Sequence, residues 1–316
     1  MKRITSLLLA AVLVLTVISL CACTDDSAAK TDGKLSIITT VFPPYDFARQ
    51  ITGDKADITM LLKPGMESHS YDPTPQDIIK IQECDLFIYG GGESDEWVED
   101  ILASGSKPKK IIAMMDCVNA VQEVVQEGMT VDEKEKDSDD IEYDEHVWTS
   151  PRNASLIMRK ISDTLCELDP ANASLYKEKT NSYATELSTL DDSYKKAVDG
   201  AAIKTIVFGD RFPFRYLADE YGLSYYAAFP GCSSETEPSA ATISFLINKV
   251  KDEKIPVVFT IEFSNGKVAD TICSETGAKK LMLHSCHNLS ADEFERGETY
   301  VSLMRANLVN LKEALS

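Results

Sequence analysis

A rhythm that occurs twice constrains the fold of this chain more than any other feature. Short apolar runs at 35–40, 58–62, 85–89 and 110–114 alternate with helix-length segments at 45–52, 75–83 and 95–104. The second half repeats the pattern, with runs at 205–208, 223–228, 256–260 and 280–283 and helical segments at 211–221, 239–253, 265–276 and 299–315. Parallel strands need a long return connection, so this alternation reads as a mostly parallel sheet with crossover helices. Between the halves, 170–200 has no interior glycine or proline, and Tyr176, Thr180, Tyr183, Leu187, Leu190, Tyr194 and Val198 recur at steps of four and three. Those residues form one face of a single helix, on the order of 40 Å long at about 1.5 Å per residue. The expected class is α/β: two units, 35–150 and 201–316, each with a four-stranded mostly parallel sheet, joined across 151–200 by helices of which one is a long, stiff connector.

With 316 residues and 44% hydrophobic content, the chain is long enough for two such cores. Its net charge of −19 repels phosphate backbones, which argues against a nucleic-acid partner. At the N-terminus, Lys2 and Arg3 precede an apolar stretch at 7–20, too short to span a bilayer but suited to a signal peptide. It runs into Leu20-Cys21-Ala22-Cys23, which resembles a bacterial lipobox, with Cys23 as the lipid-modified residue because the small Ala22 precedes it. The expectation is a signal peptide over 1–23, a flexible polar tether over 24–34, and a protein anchored outside the membrane without crossing it. Cys273 and Cys286 lie in the same half, and export permits disulfides, so their pairing stays open.

The chain has four histidines, and each lies in a short loop beside an apolar run: His69, His146, His284 and His287. In doubly wound sheets, ligands bind beyond the carboxyl ends of the strands. His69 follows the run at 58–62, and His284 follows the one at 280–283. His146 precedes the connecting helices and so falls at the junction. Thr74-Pro75-Gln76-Asp77 is a strong helix start that closes the loop bearing His69. Neutral imidazole is the commonest ligand for zinc and related metals, so His69, His146 and His284 are the candidate metal ligands. His287 is a further ligand or a support for one, and Asp144 is placed to orient His146 through its second ring nitrogen.

Several stretches carry a family resemblance: Val41-Phe42-Pro43-Pro44-Tyr45, Pro64-Gly65 through Asp72-Pro73-Thr74-Pro75, Asp144-Glu145-His146-Val147-Trp148, Leu168-Asp169-Pro170, Glu237-Pro238-Ser239, and Thr299-Tyr300 with Leu303-Met304-Arg305-Ala306-Asn307-Leu308. In this order they resemble the metal-binding lipoproteins of ABC importers for zinc and manganese, the cluster A-I solute-binding proteins. The resemblance implies two Rossmann-like lobes joined by a long backbone helix, with the metal between them. His69 and His146 stand where that family has its first two histidine ligands, and His284 aligns with the fourth. The third position falls in Phe208-Gly209-Asp210-Arg211-Phe212, where Gly209 has no side chain to offer, so Asp210, Glu262, His287 or water fills the gap.

Three imidazoles favour Zn²⁺ over Mn²⁺, which prefers oxygen donors and higher coordination. The resemblance implies a monomeric extracytoplasmic protein, lipid-anchored to the cell membrane, that passes Zn²⁺ (with Mn²⁺ or Fe²⁺ as alternatives) to an ABC permease and its ATPase. The acidic stretch at 132–145 is expected to be a solvated loop or a weak collector of cations. Two other classes remain: a zinc hydrolase or hydratase with Glu262 or Asp210 as base, and a surface adhesin. No HExxH motif supports the enzyme.

Overall fold

The computed structural model describes residues 33–67, 71–131, 142–233 and 237–316. Cys23 with the signal peptide, the tether as far as residue 32, His69 and most of the acidic stretch lie outside these residues. Of Met1–Lys34 only Gly33 and Lys34 are described, and Leu35–Ser316 forms one contact-dense body.

That body contains the repeated pattern as two sheets. Strands β1 (Leu35–Thr39), β2 (Ala56–Met60), β3 (Leu86–Tyr89) and β4 (Lys110–Ala113) form the first, in the order β2-β1-β3-β4. Strands β5 (Thr205–Arg211), β6 (Ser224–Phe229), β7 (Val257–Thr260) and β8 (Lys279–Met282) form the second, in the order β6-β5-β7-β8. Every pairing is parallel. In each sheet the order reverses at the first strand, which makes β1/β3 and β5/β7 the topological switch points, where a crevice opens beyond the carboxyl ends.

The helices are α1 (Phe42–Thr52), α2 (Pro75–Glu83), α3 (Trp97–Ala103), α4 (Pro151–Leu168), α5 (Ala173–Asp199), α6 (Arg215–Tyr221), α7 (Ala240–Asp252), α8 (Lys267–Thr276), α9 (Ala291–Glu295) and α10 (Tyr300–Ala314). Helix α2 begins where Thr74 and Asp77 predict it, with both hydrogen bonds of a capping box present. Helix α1 starts three residues earlier than the apolar pattern suggests, because Pro43 and Pro44 fall in the first turn, where no backbone donor is lost. Helix α6 starts four residues later than expected. Pro213 disfavours helical geometry at Phe212, and the segment before it stays extended as the end of β5. The short α9 has no counterpart in the sequence reading.

Helix α5 buries all seven residues of the predicted face. It packs against α4, against α1 of the first half and against α10 of the second. Asp46 of α1 is fully buried at that seam. Its Oδ2 accepts hydrogen bonds from the Tyr183 hydroxyl of α5 at 2.9 Å and from the Tyr300 amide of α10 at 2.8 Å. Its Oδ1 takes Arg49 Nε at 2.7 Å. A buried carboxylate with this many donors ties the two halves to one helix. Cys84, Cys117, Cys166, Cys232, Cys273 and Cys286 are all free thiols, so no Cys273–Cys286 disulfide forms. Among the described residues, no helix is long and apolar enough to cross a membrane.

Candidate metal-binding cleft

The β5/β7 switch point faces the loop that follows β2. A cleft there is lined by Arg211 at the end of β5, Ile261 and Glu262 after β7, His146 from the junction, Ser285, His287 and Asn288 after β8, and Met66 and Glu67 from the loop after β2.

His146 opens a 3-10 turn at Val147–Thr149 and is almost fully buried. Asp144 Oδ1 accepts from its amide at 2.8 Å and contacts ring Nδ1 at 3.0 Å. That bond assigns Nε2 as the nitrogen that would meet a metal. Burial pushes the imidazole pKa down, but the carboxylates of Asp144, Glu145 and Glu123 outweigh it, so the ring titrates above its ordinary value. The field that favours a proton there also favours a metal cation.

His287 stands edge-on to His146, with ring centroids 5.3 Å apart at 90°. Trp148 closes the wall, 5.0 Å from the His287 ring, and its indole donates to the Ser285 carbonyl at 2.8 Å. The turn that delivers His287 has Cys286 in the left-handed region, at φ 63°. A non-glycine residue there costs on the order of 1 kcal/mol, and such strain clusters at functional sites. The His287 carbonyl accepts from Phe42 N at 3.0 Å, and Gly65 N donates to the Leu289 carbonyl at 2.7 Å. Asn288 Nδ2 donates to the carbonyls of Lys63 and Met66 at 2.7 and 2.9 Å. The loop that runs into His69 is thus fastened to the other half of the molecule.

His284 does not line the cleft with His146 and His287. It lies beneath the turn and holds it. In the neutral ring its Nδ1 accepts from Cys286 N at 2.9 Å, and Asn307 brackets its backbone with two 2.7 Å bonds. Its Nε2 is 3.8 Å from Glu293 Oε2. Burial lowers the His284 pKa, but Glu262 and Glu293 prevail and raise it well above the ordinary value.

The acids considered for the missing donor differ in availability. Glu262 lines the cleft but is engaged by Ser285, whose amide donates to Oε2 at 2.7 Å and whose hydroxyl is bonded to Oε1. Asp210 is half-buried and does not line the cleft; burial raises its carboxyl, and Oδ1 caps Arg211 N at 3.0 Å. Gly209 faces away: a Cβ there would lie 2.6 Å from the backbone N and Cα of Ala269 in α8. The β5–β6 register shifts between Phe208 and Arg211, and this bulge re-aims the chain so that Arg211 enters the cleft. Arg211 was expected inside a helix, and only its position before Phe212-Pro213 hinted otherwise. Among the described residues, no three His, Cys, Asp or Glu side chains converge closely enough to hold an ion by themselves.

A family model described as "ZnuA: Zinc-uptake complex component A periplasmic" matches residues 37–314. The chain is 33% identical over 292 residues to the high-affinity zinc uptake system protein ZnuA of Bacillus subtilis, covering 92% of this chain and 91% of that one. It is 34% identical over 315 residues to the zinc-binding lipoprotein AdcA of Streptococcus pneumoniae R6, covering 99% of this chain but 61% of AdcA. The crystal structure of the Zn(II)-bound ZnuA-like domain of Streptococcus pneumoniae AdcA superposes with a TM-score of 0.73 at 31% identity, over 90% of this chain and 99% of the domain.

Proposed function

We propose a function from one premise: the chain belongs to the ZnuA family of zinc-uptake complex components. It captures Zn²⁺ outside the cell, in the cleft between 35–150 and 201–316, and delivers it to an ABC permease powered by its ATPase. The observation that carries this reading is the edge-on pair of His146 and His287, with Asp144 bonded to His146 Nδ1. His69 is the third imidazole on the grounds of sequence alone, and His284 holds the turn that presents His287. Three imidazoles suit Zn²⁺ better than Mn²⁺.

The mechanism is coordination without chemistry. The ion enters an acidic field, displaces a proton and is wrapped by loops anchored on both halves. The hydrogen bonds from Phe42 and Gly65 across to 287–289, together with α5, favour a small adjustment over a wide hinge motion. Anchoring through Cys23, a monomeric state and 151–200 as connector complete the proposal. A hydrolase reading is weaker, because the Glu262 carboxylate that would serve as base is already held by Ser285.

Calorimetric titration of the metal-stripped protein with Zn²⁺ and Mn²⁺ tests the reading. One-to-one zinc binding, weakened about 100-fold or more by His146→Ala and by His287→Ala, is expected. Absence of tight zinc binding, or indifference to both substitutions, would overturn it. A preference for Mn²⁺ would leave the importer reading and change its cargo.

A further inference from the structure

Arg211 places a cation in a cleft that is built to receive one. Its side chain is 13% exposed and pairs with Glu67 through Nη1 at 3.2 Å. Among the described residues this is its single side-chain partner, so Nε and Nη2 make no hydrogen bond to them. A guanidinium presents five donors in a planar fork that matches an oxyanion, and here only Nη1 of its three nitrogens is bonded to a described residue. The Glu67 side chain is 43% exposed, and an ion pair so open to solvent is weak.

Capture of a dication next to this guanidinium raises a charge problem. The imidazoles of His146 and His287 bring no negative charge, and Asp144, Glu145 and Glu123, whose field acts at His146, do not line the cleft as donors to an ion. Glu262 is committed to Ser285, and the strand position at Gly209 has no room for a side chain. If Glu67 moved onto the metal, Arg211 would lose its partner just as a second cation arrived beside it. An external anion removes both difficulties, because it completes the metal's coordination and takes up the idle guanidinium donors.

We propose that the cleft takes its metal together with a small carboxylate-type oxyanion, one oxygen on the Arg211 guanidinium and another on the metal. The proposal rests on the zinc-capture reading above. The bulge at Gly209 and Asp210 is then the device that exchanges a protein ligand for an anion anchor.

The test is a zinc titration of the full, metal-stripped chain in a CO2-free, non-coordinating buffer, alone and with added hydrogen carbonate or acetate. In free solution either anion competes for zinc and weakens the apparent affinity, so a gain can come only from a ternary complex. An enhancement of about tenfold is expected from charge-assisted bonds to the guanidinium. Enhancement by hydrogen carbonate alone identifies an inorganic anion, and enhancement by acetate an organic one; both support the proposal. Arg211→Ala should abolish the ratio between affinities with and without anion, and Arg211→Lys should restore part of it. Glu67→Gln should leave the ratio at least as large. Zinc binding that neither anion enhances in the unsubstituted protein overturns the proposal while the zinc-capture reading stands. Loss of zinc binding in Glu67→Gln with no anion effect does the same and makes Glu67 the missing donor. No zinc binding under any condition overturns both readings.

Discussion

Asp144 and His146 are joined twice, through the backbone amide at 2.8 Å and through ring Nδ1 at 3.0 Å, although one residue separates them in the chain. One carboxylate oxygen therefore sets both the backbone conformation and the ring orientation of the residue at the cleft. Asp144→Asn keeps the shape and removes the charge. It should weaken zinc binding about 10- to 100-fold with little change in fold, as read by calorimetry alongside circular dichroism. Unchanged zinc affinity would mean that His146 is not a ligand.

The same contact sets a pH dependence. The His146 pKa is raised above its ordinary 6.5, and a metal must displace the ring proton. Zinc affinity should therefore begin to fall on acidification while the pH is still above 6.5. Calorimetry near pH 7 in buffers of differing ionisation enthalpy should report net proton release. An affinity that is flat until well below 6.5 would contradict this electrostatic account.

Much of the fold was legible because the restraints are local or periodic. The strand-helix alternation, the capping box at Thr74 and the buried face of α5 all follow from spacing within one segment. The cleft was less so. His284 and His287 are the same residue type three positions apart, and which one reaches the cleft depends on the left-handed conformation of Cys286. Cysteine carries no sequence signal for that conformation. The entry of Arg211 accompanies a register shift between β5 and β6, at a point where Gly209 packs close to the backbone of α8, a tertiary arrangement that hydrophobic periodicity in 205–221 does not encode.

Gly209 offers a test of that bulge. If the position only lacked a ligand, Gly209→His would supply one and tighten zinc binding. The structure predicts the reverse, because any Cβ at 209 would lie 2.6 Å from the backbone of Ala269, which cannot yield as a flexible side chain would. The variant should lose about 1–3 kcal/mol of stability by overpacking, seen as a lower melting temperature, and gain no zinc affinity.

His284 and Glu293 should reveal themselves in stability rather than in binding chemistry. The His284 ring, with Nε2 3.8 Å from Oε2, is the largest influence on the Glu293 carboxyl, lowering it from 4.5 to about 2. A depressed acid contributes stability that is present above its unfolded value and fades as pH falls from about 4.5 towards 2. The His284 pKa is raised well above 6.5, so its contribution is complete below 6.5 and is lost at higher pH. The pair is therefore strongest between about 4.5 and 6.5. Glu293→Gln should lower the melting temperature most within that window and least below pH 3. An equal loss at every pH would show that the side chains matter by packing alone.

Asn288 links the turn of His287 to the loop that leads to His69, through two carbonyl acceptors, Lys63 and Met66. Replacing it by alanine leaves both carbonyls without their side-chain donor, while Gly65 keeps its bond to Leu289. The loop should then open locally rather than detach, at a cost of about 1–3 kcal/mol for the Met66 carbonyl, since Met66 N still donates to that of Lys63. Hydrogen exchange at 63–66 should quicken while the strands stay protected. Zinc should dissociate faster, with little change in association, since a pre-positioned loop mainly slows escape. A variant whose loop exchanges faster but whose zinc dissociation is unchanged would show that this loop does not restrain the ion.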